Sequence, residues 1–181
     1  MHRRLLVIAI AALAALAPLR KALAADAIPA AVQKTVDEYK GQLAKWATNP
    51  AVIAAAKASN ASGGVPGMNA GKWAELAETD AAVKGTMSSV AGKYVDSLDS
   101  KTVNKVVVRD KAGNVVAANT KVALYNVAHR PVYKTAITGV AWQQDSVSKD
   151  VTTQIKGVQI AVPIKDGGEV VGVMHAAISA D

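Results

Sequence analysis

The chain has 181 residues, no cysteine and a formal net charge of +7, with 51% hydrophobic and 4% aromatic residues. That length suits one domain with room for a helical layer beside its core. The lack of cysteine excludes disulfides, thiolate metal sites, a lipid-modified cysteine anchor and covalent haem attachment, so an exported form would be held together by its core alone.

Residues 1–24 read as an export signal. Arg3 and Arg4 form a basic start, Leu5 to Ala17 an apolar run, and Ala22-Leu23-Ala24 a small-x-small cleavage site. The apolar run is shorter than the roughly 20 residues that a membrane-spanning helix needs. An uncleaved N-terminal anchor is the alternative. Arg20 and Lys21 after the run, with the Arg pair, hint at the twin-arginine route, although the rest of that motif is missing. Cleavage leaves 17 basic against 14 acidic residues, a net of +3, so much of the basicity belongs to the signal. The remaining lysines are scattered, without an aromatic-interleaved basic stripe, which argues against nucleic acid as a partner. Residues 25–181 then form a single periplasmic or secreted domain, with a helical part over 25–100 and a sheet with its loop over 101–181.

Val32, Val36, Tyr39, Leu43 and Trp46 are spaced four, three, four and three apart, one apolar stripe on a helix that begins near Pro29. Thr48-Asn49-Pro50 interrupts it, and Asn before Pro suits a helix restart running to about Ser59. Ser62-Gly63-Gly64-Val65-Pro66-Gly67 reads as a loop. Trp73, Leu76, Val83, Met87, Val90, Tyr94 and Leu98 keep near-helical spacing and predict a third helix, packed on a sheet rather than coiled with a partner.

After Ser100 the pattern becomes β. Val103 to Asp110 (VNKVVVRD), a Lys111–Asn114 turn with Gly113, and Val115 to Asn119 make a hairpin. AWQQDSVS reads as a strand, VTTQIKGVQIAVPI as another, and EVVGVMHAAIS as the last, after a tight turn over Lys165–Gly168. The expectation is α+β: a long N-terminal helical layer packed on a five-stranded antiparallel sheet. Between the second and third strands runs YNVAHRPVYKTAITGVAWQQD, Tyr125 to Asp145. It holds two of the four Tyr, one of the three Trp and one of the three His of the chain. A connection this long in a compact domain is a functional loop or carries its own helix.

Several of these stretches resemble one family. VVVRDKAGNVVAAN resembles the first sheet hairpin of extracellular Cache domains, the PAS-like sensors of bacterial chemoreceptors and histidine kinases. YNVAHRPVYKTAITG resembles their ligand-loop motif, in which a Tyr precedes an Arg and an aromatic pair opening a short helix that ends in Gly. The family pattern has Trp where this sequence has Val132. IAVPIKDGGEVVGVMHAAI is similar to their closing hairpin, and LAKWATNPAVIAAAKASN to their long helix and its break. The resemblance spans about Val32 to Ile178. It implies a Cache-like sensor, here in a stand-alone secreted form ending at Asp181, that binds a small molecule and reports to a membrane receptor or histidine kinase.

The chemistry of the loop agrees. Tyr125, Tyr133 and Trp142 supply large apolar bodies with polar tips. The Arg130 guanidinium matches a carboxylate bidentately. Asp145 or Asp150 would receive an ammonium, and His129 is a pH-sensitive contact. Each also has a plainer reading: the Tyr as loop anchors, Arg130 and His129 as surface charges, Trp142 as core, the Asp residues as turn or edge positions. His175 alternates with Val171 and Val173 and reads as a core or rim histidine rather than a ligand contact. No nucleophile elbow, metal-binding helix motif or phosphate loop is present, so catalysis and cofactors are not expected. The functional expectation is a non-catalytic sensor for a small carboxylate or amino-acid-like metabolite. The alternative is an exported interaction or scaffold protein with a vestigial cleft, dimerising through its N-terminal helix.

Overall fold

The computed structural model describes residues 26–180; the export signal read from the sequence lies outside them. Its first helix, α1 (Ala30–Trp46), begins at Pro29, whose extended backbone opens the first turn. Val36 and Leu43, two turns apart, are fully buried, and Val32, Tyr39 and Trp46 pack around them. The Asn49 side chain accepts the Ala51 N–H at 2.9 Å and Pro50 takes the first position of α2 (Pro50–Ser62). Gly63, at φ +71°, ends α2 in the left-handed region that favours glycine.

The single third helix expected from the stripe is instead three: α3 (Ala70–Glu75), α4 (Ala81–Ser88) and α5 (Val90–Asp96). Side-chain oxygens take backbone donors at the start of α3 and at both breaks. Asn69 Oδ1 accepts from Lys72 N, an Asp80 carboxylate oxygen accepts from Ala77 N, and Ser89 Oγ accepts from Gly92 N. At the last break the chain folds back so tightly that a Cβ on Gly92 would lie 2.3 Å from the Met87 carbonyl oxygen. The stripe does not continue through Val90, which is 77% exposed.

Seven strands form one antiparallel sheet among the described residues: β1 (Asp26–Ala27), β2 (Val103–Asp110), β3 (Val115–Ala118), β4 (Trp142–Gln143), β5 (Ser146–Lys149), β6 (Lys156–Asp166) and β7 (Glu169–Ser179). The order is β1-β5-β6-β7-β2-β3, with β4 also on β6. The difference from five has a simple origin. β4 pairs with Ile160–Ala161 and β5 with Lys156–Gly157, so the two share one lane along β6 and together make the AWQQDSVS strand, interrupted at Gln144–Asp145. The two-residue β1 adds a short edge. Val151 to Thr153, expected inside a strand, turn instead, closed by Asp150 Oδ1 accepting from Thr152 N and Thr153 N.

The central strands are buried on both faces. One face carries Val106, Val108, Val158, Ile160, Val162, Met174, Ala176 and Ile178 against α1, α2 and α5. The other carries Val107 beneath the Trp73 cluster of α3 and α4, and Ala161 with Val173 beneath the loop. That loop contains a short helix, α6 (Pro131–Lys134), and a 3-10 turn over Ala136–Thr138. No helix of the described residues is long and apolar enough to cross a membrane.

Candidate functional site

Between the two clusters on the loop-covered face the sheet is polar. Strand alternation sends Lys105 and Arg109 of β2, His175 of β7 and Gln159 of β6 to this side. The registers Val107–His175–Ala161, Lys105–Ala177–Gln159 and Arg109–Val173–Pro163 put them in adjacent rows. Above them is a cleft of about 450 Å3, walled by Leu124, Val127, Arg130, Pro131 and Val132 of the loop, by Trp142 to Asp145, and by Lys149, Val151 and Thr152.

The floor is built from buried charges. Lys105 forms an ion pair with Asp150, both side chains nearly inaccessible. Asp150 also accepts from Gln159 Nε2 at 3.0 Å and from the N–H groups of Thr152 and Thr153. Burial alone would raise its pKa; the Lys105 ammonium and the two backbone donors outweigh that and hold it below the usual carboxylate range. Burial, with the Arg109 charge beside it, holds the Lys105 pKa below its usual value, and Asp150 offsets this only in part. Arg109, 2% exposed, donates through Nη1 to the Leu124 and Tyr125 carbonyls at 3.0 and 2.7 Å, and through Nε to His175 Nε2 at 3.2 Å. Burial pulls its pKa down to about 9, with Asp110 acting the other way, so it is charged at neutral pH. No carboxylate hydrogen-bonds it among the described residues. Burial first, then the charges of Arg109 and Lys105, hold His175 well below the ordinary histidine range, so its ring is neutral.

Of the residues singled out in the sequence, the structure brings Arg130, Trp142 and Asp145 to the cleft wall. Arg130 and Asp145 are exposed and Trp142 is half-buried. Tyr125 and Tyr133 are not among the residues that line the cleft, and their hydroxyls hold the loop down. Tyr125 packs on Trp73 with ring centres 5.5 Å apart, and its hydroxyl accepts the Val65 N–H at 3.0 Å. Tyr133 donates to the carbonyls of Asp110 and Lys111 at the β2–β3 turn, and burial pushes its pKa up to about 12. His129 is exposed and is not among the residues that line the cleft. Asp150 holds the ammonium of Lys105 and is not among the residues that line the cleft.

Lys105, Arg109 and Gln159 escaped the sequence reading, and His175 lines the cleft floor. A signal for two of them existed: in VNKVVVRD Lys105 and Arg109 stand four apart, on one face of a mostly apolar strand. At the cleft edge, Gln143 is tied to α1: its Oε1 accepts from Gln33 Nε2 at 3.2 Å and Lys40 Nζ at 2.8 Å. Its Nε2 donates to Gln33 Oε1 at 2.8 Å. No group of three or more His, Cys, Asp or Glu among the described residues is placed to hold a metal ion.

The buried neutral histidine has a measurable consequence. The unfolded chain protonates His175 as pH falls through about 6.5, whereas the folded protein resists. Stability should therefore fall with pH below about 7, by up to about 1.4 kcal/mol per pH unit from this one group, and level off below the folded pKa. Further down, the depressed pKa of Asp150 adds a second loss as that carboxylate is finally protonated. Urea midpoints at pH 7.5 and 5.5 should show the drop in wild type and a smaller one in His175→Gln. Equal drops in both would mean that His175 titrates normally.

No family model matches the chain, and no curated protein does. Among solved structures it is similar to the sensor domain of the V. cholerae histidine kinase DctB (17% identity, TM-score 0.43, covering 82% of this chain and 57% of that one). It is similar also to the ligand-binding domain of the Pseudomonas fluorescens chemoreceptor CtaA, solved with L-serine (18%, 0.42, 82% and 56%). A third is the sensory domain of the Campylobacter jejuni chemoreceptor Tlp3, solved with isoleucine bound (13%, 0.44, 82% and 55%). The chain spans a little over half the length of these structures.

Proposed function

We propose that this chain is a non-catalytic, periplasmic small-molecule sensor domain whose ligand is a small carboxylate-bearing metabolite, and that it signals to a membrane partner. The observation that carries the reading is the cationic cleft. Arg109 is buried at the floor with neutral acceptors only, and Arg130 and Lys149 stand on the walls without an ion-pair partner among the described residues. A desolvated cation without a carboxylate of its own favours an anionic guest. The apolar Leu124, Val127, Val132 and Trp142 supply contact area for its carbon skeleton, and Asp145 at the rim suits an ammonium.

A ligand bound only to the folded state stabilises it by about 2.7 kcal/mol at a hundred times its Kd, a melting rise of about 5–10 °C for this size. A panel of amino acids and short organic acids should contain a compound that produces this rise. In Arg130→Ala, losing a charge-assisted hydrogen bond should weaken that compound by about one to two decades in Kd. The exposed Arg130 should leave unliganded stability within about 0.5 kcal/mol. A panel without any active carboxylate overturns the reading. Equal shifts in both proteins remove Arg130 from the site.

A further inference from the structure

Resting on that reading, we infer that His175 is the residue that reads the ligand at the cleft floor, donating its Nδ1–H to a carboxylate oxygen that enters the cleft first. Arg109 can only donate, and its Nε is 3.2 Å from His175 Nε2, so Nε2 must be the ring's acceptor. The neutral ring then carries its hydrogen on Nδ1. Arg109 thus acts as a tautomer lock, held in place by the Leu124 and Tyr125 carbonyls of the loop.

Nδ1 is buried and has no hydrogen-bond partner among the described residues, the sole such side-chain atom among them. The ring is 4% exposed and lines the cleft. A buried donor without an acceptor is an unfavourable element in the ligand-free protein and is relieved by an oxygen brought to it. The surroundings choose which oxygen. Lys105 is paired with Asp150; Arg109 feels the charge of Asp110 but hydrogen-bonds no carboxylate, and Asp110 does not line the cleft, so the floor presents positive charge to it. An ammonium there would meet a donor and a cation, and a neutral carbonyl would meet the donor without compensating the charge. A carboxylate satisfies both. The ligand is therefore oriented, with its carboxylate on His175 and its variable part toward Trp142 and Asp145.

The test uses three probes of one shape, propionate, propionamide and n-propylammonium, on 15N-labelled protein. Long-range 1H–15N spectra of the His175 ring should show hydrogen on Nδ1 in the free protein. Propionate should shift Nδ1 together with the Trp142 indole N–H, and n-propylammonium should shift neither. His175→Gln places its amide near Nε2 and loses the Nδ1 donor; it should bind propionate about ten- to a hundred-fold more weakly. His175→Asn places an N–H near Nδ1 and should recover part of that loss. Hydrogen on Nε2 in wild type, or unchanged propionate affinity in His175→Gln, overturns the role of His175 while leaving the cleft as a binding site. Probes that move neither Trp142 nor His175 overturn both.

Discussion

Asp150→Asn should cost the protein about 3–5 kcal/mol, the loss typical when one partner of a buried ion pair is removed. Lys105 and Asp150 have side chains only 4% and 3% exposed. The substitution keeps the size of the side chain and an oxygen for the Thr152 and Thr153 N–H groups, but removes the charge and puts an NH2 donor where Lys105 and Gln159 now find an acceptor. What remains is an ammonium surrounded by sheet, with Arg109 nearby adding a second positive charge that already disfavours it. The cost comes from leaving Lys105 uncompensated, so it should shrink when the lysine is removed too. In the double variant Lys105→Met/Asp150→Asn, urea unfolding should recover more than about 1 kcal/mol relative to Asp150→Asn, a coupling expected of residues in direct contact. A single variant within 1 kcal/mol of wild type would show that the pair is hydrated and that the floor is not as dry as its burial indicates.

Leu43→Ala should destabilise by about 2–5 kcal/mol. Leu43 is fully buried on the α1 stripe, in the cluster that includes Val158, Ile160 and Met174. Truncation removes buried methyl groups and leaves a hole that the rigid β6–β7 pair can only partly fill. Val90→Ala is the control. Val90 is 77% exposed, so its truncation should stay within about 0.5 kcal/mol although the same apolar spacing pointed to both residues. Equal effects would place the α1 stripe in solvent and dissolve the layer arrangement.

The contrast between these two residues shows what could be read in advance. The α1 stripe is legible because one long helix buries one face, so spacing and burial coincide. The β2–β3 hairpin is legible because its turn is local: Asp110 Oδ1 accepts from Ala112 N and Asn114 N, and Gly113 takes φ +85°. The α3–α5 breaks were hidden because Asp80 and Ser89 leave the apolar spacing intact while their oxygens compete for backbone donors. At the site, aromatic content picked out the loop that walls the cleft but not the direction of its side chains. Tyr125 and Tyr133 have the same amphipathic chemistry whether the polar tip meets a ligand or a backbone carbonyl, and here it meets the backbone. His175 was read as a core or rim histidine because β7 is buried on both faces, so alternation separates helix side from loop side without telling a packed histidine from one that lines a cleft. Val171 next to it departs from the pattern altogether, joining the helix-side cluster where the pairing shifts between Ile164 and Lys165.

The sheet order constrains how the chain can fold as it emerges. β7 comes last of the described strands, yet it lies mid-sheet between β6 and β2, and Val107 and His175, partners in register, are 68 positions apart in the chain. The first helix packs on β6 and β7, the last strands to be made. Until β7 is available, β2 and β3 are a lone hairpin with one unpaired edge, and the apolar face of α1 has no sheet to cover. Closure is therefore a late, non-local event of the kind that makes folding slow. A nascent or translocating chain would carry exposed apolar surface for most of its length, the condition in which holding chaperones are needed.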